Sequence, residues 1–312
     1  MSRLILFRLL QMPLILAVIF LVTFTLAWVV PGNPLERPEG QRPPPEVQEA
    51  MARQYNLHSP WAFLSSYVSN VVVGSEQYGR LDFGPSLRYT DQRVSSIIGQ
   101  ALPVSAALGL AALAVALFLG TLAGVIGALK PGSWLDMSSL MVALIGVSLP
   151  NFVTGSILLI LFAGLLDWFP VGGWGRPEHL VLPAIALGFF PAAYVARLVR
   201  LGLADVMSSD YVRTARAKGL SHVGALFKHA LKVAYLPVLS FMGPAAASVM
   251  TGSFVIEKVF AIPGMGDYFV NAVLNKDQFL ILGVVLTYST MLVVFNLLVD
   301  VAYAWIDPRI EL

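Results

Sequence analysis

The sequence contains no cysteine, so neither disulfide bonds nor thiolate chemistry is available to the chain. Charge is scarce as well. Only 12% of the 312 residues are Asp, Glu, Lys or Arg, against about 25% in soluble domains, whereas 57% are hydrophobic. The net charge of +2 indicates no particular partner. This composition excludes an ordinary soluble domain and is typical of an integral membrane protein.

The motifs that mark common enzyme classes are also missing. The four histidines form no His-Glu-x-x-His pair, and there is no Gly-x-Ser-x-Gly nucleophile elbow. No Gly-Lys dipeptide occurs, so the chain has no P-loop with which to bind nucleotide phosphates. We therefore expect no catalytic residue, no metal site and no cofactor in this chain, and no ATP hydrolysis by the chain alone.

Stretches without charge predict the membrane spans. Six long stretches contain no Asp, Glu, Lys or Arg, namely residues 9–35, 94–129, 137–166, 180–196, 233–256 and 278–299. A membrane-spanning helix needs about 20 mostly apolar residues, which five of the six provide. The fourth is shorter but can extend at its end, where Arg197 and Arg200 could snorkel to the bilayer surface. The sequence therefore predicts an all-α integral membrane fold with six transmembrane helices.

A seventh charge-free stretch, residues 54–75, has a different character. It contains several polar residues, among them Gln54, Asn56 and His58. Its apolar residues recur at helical spacing: Trp61, Leu64, Val68, Val71 and Val72. This pattern predicts an amphipathic helix that lies on the membrane surface and does not cross it.

The distribution of basic residues predicts the orientation. If the N-terminus is cytoplasmic, the inside segments hold 11 basic and six acidic residues, whereas the short outside loops hold only three basic residues, Arg176, Lys258 and Lys276. Because cytoplasmic loops carry an excess of Lys and Arg, both termini are predicted to be cytoplasmic. The first apolar run is too long for a signal peptide and lacks a small-residue cleavage site, so we expect an uncleaved first span.

These features divide the chain into four parts. Residues 1–30 are predicted as the first transmembrane helix. Residues 31–98 are predicted as a large extracytoplasmic loop, with a short helix near 46–55 and the amphipathic helix near 61–73. Residues 99–306 are predicted as a five-helix transmembrane core that includes a cytoplasmic loop at 201–233, and residues 307–312 as a cytoplasmic tail.

Two features of the spans leave alternatives open. A face of small residues, which lets helices approach closely, follows the second span in steps of four: Ala112, Ala116, Gly120, Gly124 and Ala128. It suits packing inside the bundle or contact with another subunit. Pro150 and Asn151 interrupt the third span, where a proline kinks a helix. That interruption suits a purely structural kink or an element that lines a cavity or moves.

The basic segment "DYVRTARAKGLSHVGALFKHALK", residues 210–232, stands out from the apolar chain. Ser209 or Asp210 can cap a short helix that runs to Lys218, and Gly219 can end it in the left-handed conformation. Ser221 can cap a second helix with an apolar stripe: Val223, Leu226, Phe227, Ala230, Leu231 and Ala234. A loop that only sets orientation needs no such pattern, so the segment favours docking to a cytoplasmic partner.

The same segment resembles the cytoplasmic coupling loop, or EAA loop, of binding-protein-dependent ABC importer permeases. In the dipeptide and oligopeptide branch this loop typically reads Tyr-(Val/Ile)-Arg-Thr-Ala-Arg-Ala-Lys-Gly-Leu, and "YVRTARAKGL" at residues 211–220 matches throughout. The general pattern has an acid where this chain has Arg213, and Leu236-Pro237 falls later than usual. Both departures are usual in the peptide branch.

The resemblance extends over nearly the whole chain. "VVPGNP" (29–34), "LDFGPSLRY" (81–89), the stretch 236–277 and the ending "FNLLVDVAYAWIDPRIEL" are similar to the B-type permease of oligopeptide importers. The resemblance implies a permease of the bacterial inner membrane with six spans. Its implied partners are membrane lipid, a second homologous permease, two cytoplasmic ATPase subunits that hold ATP and Mg, and an extracytoplasmic peptide-binding protein. Nucleic acid is not among them.

The resemblance also implies a role for the loop. The chain would form half of a translocation pathway, and the loop would contact an ATPase subunit and couple ATP hydrolysis to alternating access. The implied contact residues are Tyr211, Arg213, Thr214, Ala215, Arg216, Ala217, Lys218, Gly219 and Leu220. Members of the family carry dipeptides, longer peptides, murein peptides, nickel complexes or other small solutes, and the B-type resemblance favours oligopeptides. No substrate-binding residue is implied.

Two other classes of membrane protein would need features that this sequence does not show. A membrane enzyme, such as a lipid-modifying transferase, would need His, Asp or Glu groups that converge at one membrane face. A self-contained channel or ion-coupled carrier would need an internal repeat, or polar or charged groups near the centre of the spans. By these criteria the sequence favours the importer permease over both classes.

Overall fold

The computed structural model describes residues 2–35, 44–75, 77–89 and 91–306, and within those ranges it contains helices and no strand. The prediction of an all-α fold is confirmed. Two π-helical stretches also occur, Leu159–Leu165 directly after α6 and Leu226–Ala230 between α9 and α10. The α-helices are α1 (Ser2–Val29), α2 (Pro45–Gln54), α3 (Pro60–Val72), α4 (Val94–Leu129), α5 (Trp134–Ser148), α6 (Asn151–Leu158), α7 (Glu178–Met207), α8 (Asp210–Ala217), α9 (His222–Ala225), α10 (Leu231–Ala234), α11 (Leu236–Val259), α12 (Met265–Leu274) and α13 (Gln278–Ile306).

Within the part of the chain that the structure describes, five helices are long and apolar enough to cross a membrane: α1, α4, α7, α11 and α13. The predicted third span is interrupted where the sequence indicates, and α5 and the segment Asn151–Leu165 meet there at an angle of 112°. Pro150 lacks an N–H group and disfavours helical backbone at the preceding residue, and Leu149 is accordingly extended (φ −90°, ψ 131°). The sequence predicts a kink here, whereas the chain makes a full break. The count of six spans stays a prediction.

The helix ends differ from the predicted boundaries in two places. Helix α4 begins at Val94, inside the predicted extracytoplasmic loop, and α7 continues to Met207, inside the predicted cytoplasmic loop. Helix α4 coincides with the charge-free stretch 94–129. The boundaries of the two loops relative to the membrane stay predictions. The predicted tail at residues 307–312, and residues 36–43 of the predicted extracytoplasmic loop, lie outside the described residues.

The chain divides into two compact units. The first unit comprises Met1–Arg8, Ser105–Pro263 and Leu292–Leu312, and the second comprises Leu9–Val104 and Gly264–Met291. Each is described here by itself.

Small residues bring α4 and α7 together in the first unit. A methyl group at Gly120 would lie 2.6 Å from the Ala192 carbonyl oxygen, and one at Gly124 would lie 2.7 Å from the Ala196 carbonyl oxygen. Gly188 of α7 approaches α4 in the same way, because a methyl group there would lie 2.5 Å from the carbonyl oxygen of Ala112. The small-residue face of α4 therefore packs inside the bundle, as one of the two sequence interpretations expects.

The second half of the broken segment also packs within the first unit. Helix α6 contacts both α7 and α11. A methyl group at Gly155 would lie 3.0 Å from the Ile256 side chain, and one at Gly252 of α11 would lie 2.7 Å from the side-chain nitrogen of Asn151. The break at Pro150 thus lets the chain turn and place α6 against two neighbouring helices at glycine-sized distances.

Aromatic rings form the centre of the second unit. Phe63 and Tyr67 of α3 are buried and stack with rings of α1 and α13: Phe20, Phe24, Trp28 and Phe279. The apolar residues by which the sequence predicts an amphipathic helix lie on a different face of α3. Its residues Trp61 (77% exposed), Val68 and Val72 point away from this aromatic cluster and are exposed. Their placement on the membrane surface stays a prediction.

Replacing Gly120 with alanine should destabilise the protein. The new methyl group would overlap a backbone oxygen of α7, and such overpacking typically costs about 1–3 kcal/mol. Gly99 of the same helix is the matched control, since a methyl group there meets nothing within 4 Å and alanine improves helix propensity. The melting temperature in detergent should fall for Gly120→Ala and stay equal or rise for Gly99→Ala. Equal melting temperatures for the two variants would contradict the close α4–α7 contact.

Candidate functional site

The residues predicted to contact an ATPase lie on and just after the short helix α8. Ser209 precedes the helix in extended conformation, but its hydroxyl donates to the carbonyl oxygen of Val206 and does not cap α8. The Thr214 hydroxyl instead donates to the carbonyl oxygen of Asp210, 2.8 Å away. Asp210 also forms an exposed ion pair with Arg213 across one turn. Local bonds of the backbone and of short side chains therefore hold the helix.

Helix α8 ends in a glycine cap. The Leu220 amide donates to the carbonyl oxygen of Ala215 (3.2 Å), and the Gly219 amide donates to that of Arg216 (2.9 Å). This pair of bonds defines a Schellman motif, whose glycine position requires a left-handed backbone. Gly219 has φ +92°, so the predicted left-handed glycine is confirmed. The motif turns the chain sharply and fixes the direction in which α8 projects.

One side chain anchors α8 to the rest of the first unit. Val212 is fully buried, although the predicted contact set does not include it. Of the nine predicted residues, Ala215 and Leu220 are half-buried. The other seven are exposed: Tyr211, Arg213, Thr214, Arg216, Ala217, Lys218 and Gly219. Helix α8 thus has an apolar back, held by Val212, and a free front that carries three positive charges.

The chain from Ser221 to Ala234 is packed against α7. The Ser221 hydroxyl accepts a hydrogen bond from the Gly224 amide (3.1 Å), as the predicted cap requires. Leu226, Ala230 and Ala234 are buried in a cluster with Val199 and Leu203 of α7. The helices on either side of Gly219 are therefore attached to the bundle, one by Val212 and the other by a full apolar face.

The predicted apolar stripe on this segment is wrong in part. Val223 and Phe227 (57% exposed) belong to the predicted stripe but are exposed, whereas Ala225 is buried. Residues four apart drift around an α-helix, and the wider turn of the π-helix Leu226–Ala230 reverses part of that drift. The signal that could have identified the buried face is the step-of-four series that continues into α11: Leu226, Ala230, Ala234 and Val238.

A partly buried ion pair connects α7 to α5. Arg200 donates through Nε to Asp136 Oδ1 (2.5 Å) and through a terminal nitrogen to Oδ2 (2.8 Å). The Gly132 amide also donates to Oδ2, at 2.9 Å. The sequence predicts that Arg200 snorkels to the bilayer surface, but the structure holds it in a bidentate pair. No local pattern indicates this contact, since the two residues lie 64 positions apart.

A second candidate surface lies in the second unit, where Asp277 joins the "LDFGPSLRY" segment to the start of α13. Asp277 is fully buried. Its carboxylate accepts hydrogen bonds from the Ser86 hydroxyl (2.5 Å), the Arg88 amide (3.1 Å) and the Leu280 amide (3.1 Å). Burial raises the pKa of Asp277, and these hydrogen bonds only partly offset the rise. The last of them also caps α13.

The neighbouring carboxylate, Asp82, shows the opposite balance. Burial would raise its pKa, but hydrogen bonds from Arg93, Ser75 and the Gly84 amide outweigh burial and lower it. Arg93 also stacks over the ring of Tyr78. These contacts tie Ser75, Tyr78, Asp82, Gly84 and Arg93 to one another.

Aromatic and amide contacts tie the same segment to α12. The rings of Tyr89 and Tyr268 are 5.2 Å apart, and the Asn271 amide nitrogen lies 3.4 Å from the Tyr89 hydroxyl. The second unit thus presents residues from "LDFGPSLRY" and from α12 as one ordered surface. Among the described residues, no three His, Cys, Asp or Glu side chains lie close enough together to hold a metal ion.

Comparisons with known proteins agree with the arrangement described above. The family described as "Binding-protein-dependent transport system inner membrane component" matches residues 116–312. The chain is 39% identical over 313 residues to the dipeptide transport system permease protein DppB of Bacillus subtilis (strain 168), covering 100% of this chain and 99% of that protein. It is 40% identical over 314 residues to the oligopeptide transport system permease protein OppB of Escherichia coli (strain K12), covering 100% of both.

A solved structure shares the fold. It is described as inward-facing conformations of the MetNI methionine ABC transporter, and the similarity covers 68% of this chain and 97% of that chain with a TM-score of 0.54. The sequence identity is 16%, so this likeness shows the fold alone.

Removing the Asp277 carboxylate should loosen the "LDFGPSLRY" segment. Asp277→Ala leaves two buried donors, the Ser86 hydroxyl and the Leu280 amide, without this acceptor. Each loss costs about 1–3 kcal/mol, so trypsin should cleave after Arg88 roughly tenfold faster or more. Asp277→Asn keeps one acceptor oxygen and should show a smaller effect. Cleavage after the exposed Arg213 in the first unit provides the internal standard. Unchanged cleavage after Arg88 in Asp277→Ala would show that Asp277 does not hold this segment.

Proposed function

The chain belongs to the binding-protein-dependent ABC importer permeases of the oligopeptide and dipeptide branch, and from this we propose that it forms half of a peptide translocation pathway coupled to separate ATPase subunits. The family resemblance stated from the sequence is confirmed by the family match and by the full-length relatives. The protein is accordingly a multi-pass inner-membrane permease. The coupling, the cargo and the partners below are our proposals.

The observation that carries the coupling proposal is the construction of α8. Its back is anchored by Val212, its end is fixed by the Gly219 cap, and its front is exposed and basic. A loop that only satisfies the positive-inside rule needs the charges but neither the anchor nor the cap. A rigid element with an exposed front suits insertion into a groove on another protein, because little conformational freedom is then lost on binding.

The packing behind α8 supports a path for the motion. Leu226, Ala230 and Ala234 attach the loop to α7, so a displacement of the loop moves α7. Helix α7 contacts α4 through glycine-sized gaps and α5 through the Asp136–Arg200 pair. We propose that ATP and Mg, held by the ATPase partners, bias the loop between two positions. The permease bundle would then alternate between inward and outward states.

The proposed partners are those of an ABC importer: a second homologous permease, two cytoplasmic ATPase subunits and an extracytoplasmic peptide-binding protein. Support for the last comes from the second unit, where Asp277, Tyr89 and Asn271 fix loop segments into one ordered surface. Oligopeptides are the proposed cargo, because relatives named for oligopeptide and dipeptide transport match over the whole chain. Dipeptides, nickel or another small solute of the same family are the alternative.

The coupling proposal predicts that Gly219→Leu uncouples transport. At φ +92° a side chain costs about 1–2 kcal/mol. Apart from the two chain neighbours, no atom of the described residues lies within 4 Å of a Cβ placed there, so a leucine would project from the α8 turn towards a docked partner. Gly132→Leu is a matched control, since Gly132 also has positive φ and open space around it. The test measures peptide uptake and co-purified ATPase per permease molecule in the reconstituted importer.

We expect both variants to reach the membrane in normal amounts, with uptake and co-purified ATPase lost only for Gly219→Leu. Transport at the parental level by Gly219→Leu would refute the coupling assignment. Equal losses in both variants would trace the defect to backbone strain and leave docking without support.

The proposed orientation predicts opposite accessibility for two single cysteines in this cysteine-free chain. Gln77 and Ser208 are both exposed in the fold, so burial does not bias the comparison. With both termini cytoplasmic, a membrane-impermeant thiol reagent added outside intact cells or spheroplasts should label Gln77→Cys and spare Ser208→Cys. Labelling of Ser208→Cys alone would show that the orientation in the membrane is the reverse of the proposed one.

A further inference from the structure

An apolar groove of about 390 Å³ opens between α4, α5 and α7 of the first unit. Leu122 and Ile126 of α4 and Val142 of α5 form its walls, and the small side chains Ala193 and Ala196 of α7 form its floor. Because the floor consists of alanines, the space between the walls is left unfilled. The groove therefore accepts an apolar chain.

The two serines that line the groove do not make it polar. The Ser138 hydroxyl donates to the carbonyl oxygen of Leu135, 3.0 Å away, and the Ser139 hydroxyl donates to that of Ala123, 3.2 Å away. Every other lining residue is apolar. A polar solute such as a peptide backbone would find only these two hydroxyl oxygens as acceptors in the lining, too few to replace its hydration on entry.

The surface around the groove is of the kind that faces hydrocarbon. Phe118 and Leu122 of α4 and Met141, Val142 and Leu144 of α5 are large, apolar and exposed. Both α4 and the α5–α6 pair are candidate membrane spans. The groove thus opens sideways onto the lipid-facing side of the helices in this chain.

An ion pair closes one end of the groove. A methyl group at Gly127, the residue after Ile126, would lie 3.1 Å from Asp136 Oδ1 and 3.3 Å from Arg200 Cδ. Asp136 follows the lining residue Leu135, and Arg200 lies one turn beyond Ala196. The apolar slot therefore ends at a charged pair.

Two cations stand at this end without an acidic partner among the residues that the structure describes. Lys130 lies one turn beyond Ile126 and Arg197 one turn beyond Ala193, and both are exposed. Arg200 is neutralised by Asp136, so Lys130 and Arg197 supply the uncompensated charge. Trp134 is exposed beside them, as aromatic residues at the bilayer interface often are.

We propose that this groove is a lipid site that holds one acyl chain of an anionic phospholipid, with its phosphate at Lys130 and Arg197. An apolar slot with a basic mouth is complementary to that amphiphile and to neither a peptide nor a metal ion. The site shares no lining residue with the α8 surface, residues 211–220, and its test does not depend on transport. A helix of the second permease is the competing occupant.

The test is photo-crosslinking in nanodiscs that contain the assembled importer. The probe is phosphatidylglycerol with a diazirine on one acyl chain, and mass spectrometry maps the labelled residues. We expect labels to concentrate in residues 119–126, 135–143 and 189–196, and excess phosphatidylglycerol to displace the probe better than phosphatidylcholine. Lys130→Gln with Arg197→Gln should weaken capture, by about fivefold for each charge removed.

Matched variants separate a built site from general lipid contact. Lys228→Gln with Lys232→Gln removes the same charge from exposed residues that do not line the groove and should leave capture unchanged. Ala143→Leu fills the groove and should abolish the concentrated labels, whereas Val147→Leu, on the exposed surface of the same helix but outside the lining, should not.

Three results would overturn the proposal. Labels spread evenly over the exposed helix faces would indicate bulk lipid only. Equal capture of a phosphatidylcholine probe would show that Lys130 and Arg197 do not select an anionic headgroup. Labels found with the chain alone but lost in the assembled importer would show that the second permease covers the groove.

Discussion

Close contact between α4 and α7 is the constraint on which the first unit depends. Gly120, Gly124 and Gly188 bring the two backbones within reach of each other's carbonyl oxygens, a distance that a larger side chain would prevent. In a membrane the hydrophobic effect does not draw helices together, so packing at this range supplies much of the attraction. Once α4 is fixed on α7, the other elements of the unit take their positions from α7. The start of α5 is attached to α7 by the Asp136–Arg200 pair, and α6 packs against α7. The basic loop packs against the C-terminal half of α7.

Charge is rare in this chain, and two of its buried carboxylates, Asp136 and Asp277, are each held by several donors. Asp136 accepts from Arg200 and from the Gly132 amide, and Asp277 accepts from one hydroxyl and two amides. A buried ionised group without partners is costly, while a paired one fixes the segments that supply its donors. The two carboxylates do this in different units. Asp136 holds the start of α5 against α7, and Asp277 holds the "LDFGPSLRY" segment against the start of α13.

Local patterns predicted the features that depend on neighbours in sequence, and missed those that depend on distant contacts. Charge-free stretches predict the long helices because hydrocarbon excludes charge over a whole span. The Gly219 cap follows from local backbone geometry. The Asp136–Arg200 pair and the burial of Phe63 and Tyr67 leave no local trace, since their partners are far away along the chain. The break at Pro150 lies between these cases, because the proline is visible in the sequence but the 112° angle depends on what α6 packs against.

The α8 surface shows why an exposed site can still be strongly determined by the fold. Its outer residues touch little in this chain, so their identity is free to serve a partner. Their positions are set from behind by Val212, by the Schellman bonds at Gly219 and by the apolar face of Leu226, Ala230 and Ala234. A partner that binds such a preorganised surface spends little of its binding free energy on ordering the loop. More of that free energy can then shift the position of α7, and only a difference in binding between two positions can drive a conformational change.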